Sequence, residues 1–513
     1  MQNEEQHYLE MRNIVKSFGP LIANNNITLK VEKATVHALI GENGAGKSTL
    51  MNILSGIYKP DYGEIIIDGK KMHFRNSFDA AKNGIGMVFQ EFMLFDDLTV
   101  IENIVYAYEK TRYGMFIDKK KNREKVEQIC RDYHFNIPLD AKVSEIPVSL
   151  LQQVEIVKVL YKGAEIIILD EPTSVLTPQG VQGLFKAIRF LIKNGKTIIL
   201  ITHKLKEVFA IADEITVLRD GKVTGNVKPS EITENELANM MVGREVLLEA
   251  DKDPVEPGEV ILEVKNLTVK DKEGVVRVKN VNFDVHAGEI VGIAGVAGSG
   301  QQFLVEALFG LSDAEKGSQI LFNGKDITNG TPRDARLMGI GYIPQDRLNA
   351  GGNPQGTIWE NAIMGYHVAH GFKSKVFLDH KEIDEFSDRV VAQFNVKTQG
   401  LNEKLKSLSG GNIQKLIVGR ESIQDNKLLI IEDPTRGIDV GAIEFVWEKL
   451  LAITREGKGI LLVSHELNEV MQLSDRIYVI YNGVLIEAGN YHEKTEQEIG
   501  LLMLGGGEDD VWK

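Results

Sequence analysis

The chain has few features of a secreted or membrane-spanning protein. It has a single cysteine, Cys130, among 513 residues, which excludes an internal disulfide framework and a four-cysteine zinc site. Its longest apolar runs, such as EIIILD and TIILIT, are the size of strands, whereas a spanning helix needs about 20 apolar residues. The opening MQNEEQHYLE lacks the basic and apolar regions of a secretion signal. We therefore expect a soluble intracellular protein that reaches a membrane only through other subunits.

The charge balance argues against a nucleic-acid partner. The chain has 59 Lys and Arg residues against 73 Asp and Glu residues, a net charge of −14, and this charge repels a phosphate backbone unless the basic residues are segregated. The stretch DKKKNREKVEQICRD at 118–132 mixes both signs. That mixture favours a helix with a solvated charged face over a basic binding patch.

An internal repeat spans nearly the whole chain. HALIGENGAGKSTL in the first half returns as VGIAGVAGSGQQFL in the second, and the later motifs keep their order. A duplication fixes the architecture, so we predict one domain over 1–245 and a second over 259–513. The segment 246–258 contains prolines and acidic residues and is predicted to be an exposed linker.

Each half has an α/β pattern. Runs such as IIILD, TIILIT, LLIIED and GILLVSH lack the polar alternation of a half-exposed strand. They are typical of parallel strands that helices cover on both faces.

A phosphate-binding loop is indicated by GENGAGKST at 41–49, which follows an apolar strand and precedes a helical run. Backbone N–H groups in such a loop surround phosphate oxygens at a helix N-terminus, where the helix dipole favours negative charge. Lys47 is predicted to reach the β- and γ-phosphates, and Ser48 to bind Mg²⁺. The alternative is a glycine-rich turn with a chance lysine, which the strand-loop-helix context disfavours.

Other polar residues follow apolar strands and are expected at the same sheet edge. Asp170 and Glu171 end the run EIIILDE, and ligands bind at the carboxyl ends of such strands. Asp170 is suited to the coordination shell of Mg²⁺. Glu171 is placed to orient and deprotonate the water that attacks the γ-phosphate. His203 and Gln90 also end apolar runs. Taken singly, each of these residues could be structural, but the recurrence of His203 as His465 and of Gln90 as Gln345 favours γ-phosphate and Mg²⁺ sensing.

This set of motifs resembles the ATP-binding-cassette ATPases over essentially the whole chain. The most specific element is LSGGN at 408–412, which is similar to the family's signature loop and precedes a helical run. The resemblance implies two P-loop NTPase nucleotide-binding domains in tandem. Each would have a RecA-like α/β core, an antiparallel β subdomain and a helical signature subdomain.

In this family the P-loop of one domain faces the signature of the other, so the resemblance implies composite sites. Site one would bind ATP and Mg²⁺ through groups from both halves. Its expected nucleotide-binding residues are Phe18, Gly41, Asn43, Gly44, Ala45, Gly46, Lys47, Ser48, Thr49, Ser409, Gly410, Gly411 and Asp439; its metal-binding residues are Ser48, Gln90 and Asp170; and its catalytic residues are Glu171, His203 and Gln90. Phe18 would stack on adenine, although a lone Phe is as often part of a core.

Site two departs from the family pattern on both of its faces. In the second P-loop Gln301 stands where the lysine is expected and Gln302 where the serine is expected, and the carboxylates occur in the reverse order as Glu432 and Asp433. The first-half signature is IPVSL, and Thr177 replaces the aspartate of the opposing loop. We therefore expect a degenerate site with negligible hydrolysis.

The tandem arrangement and PTRGID in the second half resemble the ATPases of bacterial sugar and nucleoside importers, closest to the nucleoside branch. That resemblance implies two transmembrane permease subunits, an extracytoplasmic substrate-binding lipoprotein and a peripheral position on the cytoplasmic face of the membrane. A ribose- or galactose-type importer is the alternative. A tandem-cassette translation factor is a rival from another class, disfavoured by the short proline-bearing linker and the acidic charge.

Overall fold

The computed structural model describes residues 7–90, 92–112, 116–173, 176, 178–245, 252, 257–296, 298–367, 372–374, 377–489 and 494–506. The chain divides into two compact units, Met1–Val246 and Leu247–Lys513. Of the predicted linker 246–258, only residues 252, 257 and 258 lie among those described. None of the helices within these ranges is long and apolar enough to cross a membrane.

The first unit alternates strands and helices along the chain. Its elements are β1 (Leu9–Phe18), β2 (Leu21–Val31), β3 (Val36–Gly41), α1 (Lys47–Leu54), β4 (Tyr62–Ile67), β5 (Lys70–Met72), α2 (Ser77–Lys82), β6 (Ile85–Val88), α3 (Val100–Val105), β7 (Thr111–Arg112), β8 (Phe116–Ile117), α4 (Lys119–Asp132), α5 (Val148–Tyr161), β9 (Ile166–Asp170), α6 (Pro178–Lys193), β10 (Thr197–Ile201), α7 (Leu205–Ile211), β11 (Glu214–Arg219), β12 (Lys222–Val227) and α8 (Glu234–Val242).

The second unit repeats this order. Its elements are β13 (Val260–Lys270), β14 (Val276–His286), β15 (Ile290–Ala294), α9 (Gln301–Leu308), β16 (Gln319–Phe322), β17 (Lys325–Asp326), α10 (Pro332–Met338), β18 (Ile340–Ile343), α11 (Ile358–Ala362), β19 (Lys373–Ser374), β20 (Phe377–Leu378), α12 (His380–Gln393), α13 (Gly410–Ile423), β21 (Leu428–Glu432), α14 (Val440–Arg455), β22 (Gly459–Ser464), α15 (Leu467–Leu473), β23 (Arg476–Tyr481), β24 (Val484–Gly489) and α16 (Glu496–Met503).

Each unit contains a six-stranded and a four-stranded sheet. In the first unit the large sheet has the order β12-β11-β3-β10-β9-β6, with parallel pairing except between β11 and β12. The small sheet has the order β2-β1-β4-β5 and is antiparallel. The second unit has the corresponding orders β18-β21-β22-β15-β23-β24 and β14-β13-β16-β17. The predicted α/β class and antiparallel subdomain are therefore confirmed.

The central strands are buried on both faces, as their uninterrupted apolar runs predict. In β9, Ile166 and Ile168 pack in one cluster with Leu50 of α1 and with the small sheet. Ile167 and Leu169 point the other way, into a cluster formed with helices α3 to α6, because successive strand side chains alternate between faces. The large sheet thus joins the phosphate-loop side of the unit to its helical side.

The charged stretch at 118–132 forms a helix, as predicted. Asp118 caps α4 by accepting the backbone N–H of Lys121. Asn122, Val126 and Ile129 form its buried face, while Arg123 on the solvated side pairs with Glu127 and Asp140. The basic residues on this helix are therefore part of a mixed-charge surface.

Candidate functional site

The glycine-rich loop connects β3 to α1 at the carboxyl edge of the large sheet. Gly46 has a φ of 98°, and a Cβ there would lie 2.3 Å from the carbonyl oxygen of Ala23, so only glycine fits. Helix α1 begins at the next residue, Lys47. The first-turn N–H groups of a helix lack partners within the helix. In α1 these groups come directly after the glycine-rich loop. Within the loop Ala45 is buried and Asn43 is exposed, while Thr49 on α1 is half-buried.

Lys47 is buried, with 6% of its surface exposed. Its Nζ donates to the carbonyl oxygens of Gly41 at 2.7 Å and of Glu42 at 2.9 Å. The ammonium group is therefore held against the loop. The hydroxyl of the adjacent Ser48 and the ammonium of Lys47 both act to lower the pKa of Asp170, so groups from α1 lie close to the carboxyl at the end of β9.

Glu171 lies where β9 ends and brings together the two other predicted residues. Its Oε2 accepts from Gln90 Nε2 at 3.1 Å, and its Oε1 accepts from His203 Nδ1 at 3.0 Å. Its backbone has a φ of 45°, in the left-handed region that is unfavourable for residues other than glycine. The Glu171 N–H donates to the carbonyl of Ile201 at 2.9 Å, which helps to hold this conformation.

The two adjacent carboxylates have pKa values shifted in opposite directions. Burial and the neighbouring charge of Glu171 raise the pKa of Asp170 to about 6, against the opposing effects of Lys47 and Ser48. Burial also acts to raise the pKa of Glu171, but the hydrogen bond and charge of His203, together with Lys47, lower it overall. Adjacent carboxyl groups held in different protonation equilibria are typical of catalytic sites.

The second unit reproduces this arrangement around an aspartate. Asp433 has a φ of 41°, and its N–H donates to the carbonyl of Val463 at 2.9 Å. Its Oδ2 accepts from Gln345 Nε2 at 2.6 Å and from His465 Nδ1 at 2.7 Å, and its Oδ1 accepts the His465 N–H at 2.8 Å. Asp433 is thus the structural equivalent of Glu171.

The rest of the second loop differs from the first. Gln301 is buried and its Nε2 donates to the carbonyl of Val296 at 3.1 Å. Gln302 donates to Glu306 on the same helix at 2.8 Å. Glu432 accepts the Tyr342 hydroxyl at 2.5 Å, and burial raises the pKa of Glu432 to about 7. An amide therefore replaces the ammonium, and a tyrosine hydroxyl contacts the carboxyl that corresponds to Asp170.

The signature residues form the start of α13. Ser409 is the N-cap residue, and the helix runs Gly410–Ile423. Asp439 caps α14 by accepting the Ala442 N–H at 2.9 Å, and its Oδ2 lies 3.5 Å from where a Cβ on Gly411 would be. The predicted signature and aspartate are therefore neighbours. In the first unit Pro147 is the residue before the corresponding helix α5; the side chain of Ser149, and Thr177 as a whole, lie outside what is described.

Phe18 lies on the surface of the first unit with 42% of its area exposed. Its ring packs edge-on against Tyr58 at 5.4 Å, and Lys16 Nζ lies 5.6 Å from its centre. It is not a core residue, and its stacking on adenine remains a prediction.

Sequence reasoning missed three residues beside these clusters. Tyr342 contacts Glu432 as described above. Arg347 donates to the carbonyl of Arg436 at 2.9 Å, and its Nη2 lies 3.0 Å from where a Cβ on Gly410 would be. Glu207 contacts the threonines that flank Glu171 and His203 in sequence. Of the three, only Glu207 had a signal in the sequence, because it recurs as Glu469 at the same distance from the second histidine.

A glycine loop, a buried lysine and a strand-end Asp-Glu pair, on an α/β fold that occurs twice, define a tandem P-loop nucleotide-binding protein. The family model for ABC transporters matches residues 24–174 and 278–436. The chain belongs to the ABC transporter family and is an ATP-binding ATPase of that family.

Three curated relatives resemble the chain over almost its full length. The nucleoside import ATP-binding protein NupA of Lactococcus lactis is 43% identical over 97% of this chain and 98% of the relative. The guanosine import ATP-binding protein NupO of Bacillus subtilis is 45% identical over 99% of both. The galactose/methyl galactoside import ATP-binding protein MglA of Clostridium perfringens is 40% identical over 97% of this chain and 95% of the relative.

Proposed function

We propose that this chain is the ATP-hydrolysing subunit of a nucleoside importer, with one hydrolytic and one degenerate nucleotide site. The ATPase part is supported above all by the carboxylate of Glu171, which accepts from both Gln90 and His203 beside a lysine-bearing loop. The nucleoside part is supported by relatives named for nucleoside and guanosine import at 43% and 45% identity. A relative named for galactose import is 40% identical, which keeps a sugar importer as the second candidate.

In the hydrolytic site, Lys47 and the backbone N–H groups of the loop bind the β- and γ-phosphates. Glu171 orients the attacking water and accepts its proton, which its lowered pKa permits because the carboxylate is ionised near neutral pH. His203 holds that carboxylate through Nδ1. Gln90 contacts the other carboxylate oxygen and senses the γ-phosphate side of the site.

Mg²⁺ fits the residues beside the lysine. The Ser48 hydroxyl and the Lys47 ammonium both act to lower the pKa of the Asp170 carboxyl, and hydroxyl and carboxylate oxygens are the donors that Mg²⁺ prefers. These two residues, with Gln90, would hold the ion. When bound, Mg²⁺ neutralises charge on the phosphate oxygens.

The signature residues Ser409, Gly410 and Gly411 complete this site by binding the γ-phosphate of the nucleotide held by the first half. They begin a 14-residue helix, and a helix N-terminus presents N–H groups and a favourable dipole to an anion. Asp439 lies beside them. Phe18 would form the adenine platform.

The second nucleotide site does not hydrolyse ATP at a useful rate. Replacement of lysine by Gln301 removes an attraction of about 4 kcal/mol for a phosphate charge about 4 Å away at an effective dielectric of about 20. Asp433 is one methylene shorter than glutamate, and a displacement of about 1 Å costs about 100-fold in rate. The backbone N–H groups of the loop remain, so nucleotide can still bind there.

The energy of ATP binding closes the two halves around nucleotide and shifts two permease subunits to another access state, and hydrolysis resets them. This is a population shift by a ligand that prefers the closed form. The chain would act at the cytoplasmic face of the membrane as a peripheral subunit. An extracytoplasmic lipoprotein would deliver the nucleoside.

Uptake measurements test the substrate. Deletion of the gene should abolish uptake of labelled guanosine and uridine while pentose and galactose uptake stays unchanged. Wild-type chain should restore nucleoside uptake, and Glu171→Gln, the matched inactive variant, should not. Loss of galactose or ribose uptake with intact nucleoside uptake would instead assign the chain to a sugar importer.

A further inference from the structure

A buried carboxylate outside the phosphate site connects the two segments that carry Glu171 and His203. Glu207 lies on α7 and is only 8% exposed. Its Oε1 accepts the hydroxyl of Thr173 at 2.6 Å, and its Oε2 accepts the hydroxyl of Thr202 at 3.3 Å. One carboxylate thus contacts two loops that leave different strands.

Each threonine lies within two residues of a residue of the hydrolytic site. Thr173 follows Glu171 after a single proline, and Thr202 immediately precedes His203. The Thr202 oxygen also accepts the N–H of Lys204 at 3.1 Å, which fixes the turn after the histidine. The separation of Glu171 Oε1 and His203 Nδ1, 3.0 Å, therefore depends on two loops that Glu207 holds together.

Burial of the Glu207 carboxylate between the two loops has a free-energy cost. Removal of a carboxylate from water is costly unless donors surround it, and burial raises the pKa of Glu207 despite the two threonines and Lys204. Lys204 Nζ lies 3.7 Å from Oε1. An acceptor that contacts two loops at once suits a site whose geometry must be held within about 0.5 Å.

The second unit has the same device. Glu469 is 2% exposed and accepts from Ser464 at 2.8 Å and from Trp447 Nε1 at 3.1 Å, and Thr435 acts to lower the pKa of its carboxyl. Ser464 precedes His465, and Thr435 follows Asp433 after a proline. A glutamate with a purely structural role would have the same effect in both halves. Glu469 is therefore an internal control for Glu207.

We propose that Glu207 is a positioning residue for ATP hydrolysis, which fixes the carboxylate of Glu171 against the imidazole of His203 by holding the loops that carry them. The proposal rests on the assignment of hydrolysis to the first-half site. Glu469 lies at the equivalent position in the half that does not hydrolyse ATP, where its contact with the segment before His465 has no effect on turnover.

The test compares Glu207→Gln with Glu469→Gln in the full-length chain, by steady-state ATPase kinetics and thermal unfolding. Glutamine keeps the size of the side chain but can accept from only one of the two hydroxyls. We expect Glu207→Gln to lower kcat about tenfold with little change in the KM for ATP, since a small displacement of a reacting group is costly in rate. Glu469→Gln should leave kcat within about twofold of the wild-type value. The unfolding temperatures of the two glutamine variants should fall by similar amounts.

Two milder variants guard against misfolding. Thr202→Val and Thr173→Val each remove one hydroxyl with little change in shape, and each should lower kcat by a smaller factor. Combination of Thr202→Val with Glu207→Gln should cost less than the product of the single effects, because the partners act as a unit.

The outcomes separate this inference from the proposed function. An unchanged kcat in Glu207→Gln, or an equal fall in Glu469→Gln, would overturn the positioning role. Glu171→Gln tests the function itself: if it eliminates turnover while Glu207→Gln does not, only the inference about Glu207 fails. If Glu171→Gln still hydrolyses ATP, the assignment of the hydrolytic site fails first.

Discussion

Glu171 and Asp433 occupy equivalent positions in the two halves of the chain. Each lies just after a central strand with a left-handed backbone, at φ values of 45° and 41°, and each accepts from one glutamine and one histidine. The two sites therefore share a scaffold and differ in the length of one side chain and in the groups around it. This relationship makes each half the natural control for the other.

Substitution of the two carboxylates should have very different effects on turnover. Glu171→Gln removes the acceptor for the water proton, so we expect loss of ATPase activity of at least about 100-fold with ATP still bound. Asp433→Asn should change the rate by less than about twofold. Single-turnover hydrolysis and retention of labelled ATP measure both variants, and an equal loss in the two would refute the asymmetry.

Substitutions in the two phosphate loops should have very different effects on the affinity for ATP. Lys47→Ala removes the ammonium group held against the loop, and we expect ATP to bind at least about tenfold more weakly, given an attraction of about 4 kcal/mol before screening. Gln301→Ala, the matched variant, should change the affinity of the first site by less than twofold. Titration with a fluorescent ATP analogue gives both constants. Equal weakening in the two variants would argue against Lys47 as a phosphate ligand.

Two glycines of the first loop should differ in their tolerance of alanine. Both have positive φ, 85° at Gly44 and 98° at Gly46. A Cβ on Gly44 would meet no atom of the described residues within 4 Å, whereas one on Gly46 would lie 2.3 Å from the carbonyl oxygen of Ala23. We expect Gly44→Ala to cost about 1 kcal/mol from its backbone alone, and Gly46→Ala to cost clearly more. Thermal unfolding without nucleotide measures the order, and a reversed order would contradict the loop geometry.

The raised pKa of Asp170 should appear as a pH dependence of stability. Burial and Glu171 raise this pKa to about 6 in the folded chain, while an unfolded Asp titrates near about 3.9. Between these values the folded state binds more protons, so the contribution of Asp170 to the free energy of unfolding falls as pH rises through the window. Without nucleotide, Asp170→Asn should therefore unfold at a higher temperature than wild type at pH 7.5, and the gain should shrink at pH 4.5. A constant difference across this range would contradict the shifted pKa.

The sequence was sufficient to predict the α/β class, the duplication and the charged helix α4, because each has a periodic or repeated signal. It also identified Gln90, Glu171 and His203, which the structure brings within hydrogen-bonding distance. Arg347 and Tyr342 were not predicted. Their contacts with Arg436 and Glu432 join residues about 90 positions apart, and neither follows a recognised spacing.

The role of Phe18 could not be predicted from the sequence for a different reason. Its exposure and its contact with Tyr58 exclude a core role, yet a surface aromatic has several uses and no spacing rule connects it to a nucleotide. The signature gave a much more specific signal than Phe18, because LSGGN is a specific motif. The structure places its serine at a helix N-cap.

A structure of the Glu171→Gln chain with ATP and Mg²⁺ tests the central claim most directly. It should show one ATP whose phosphates contact residues 46–48 of the first half while its γ-phosphate also contacts residues 409–411 of the second. A nucleotide bound by residues 46–48 with 409–411 on a surface that does not reach it would contradict the composite hydrolytic site.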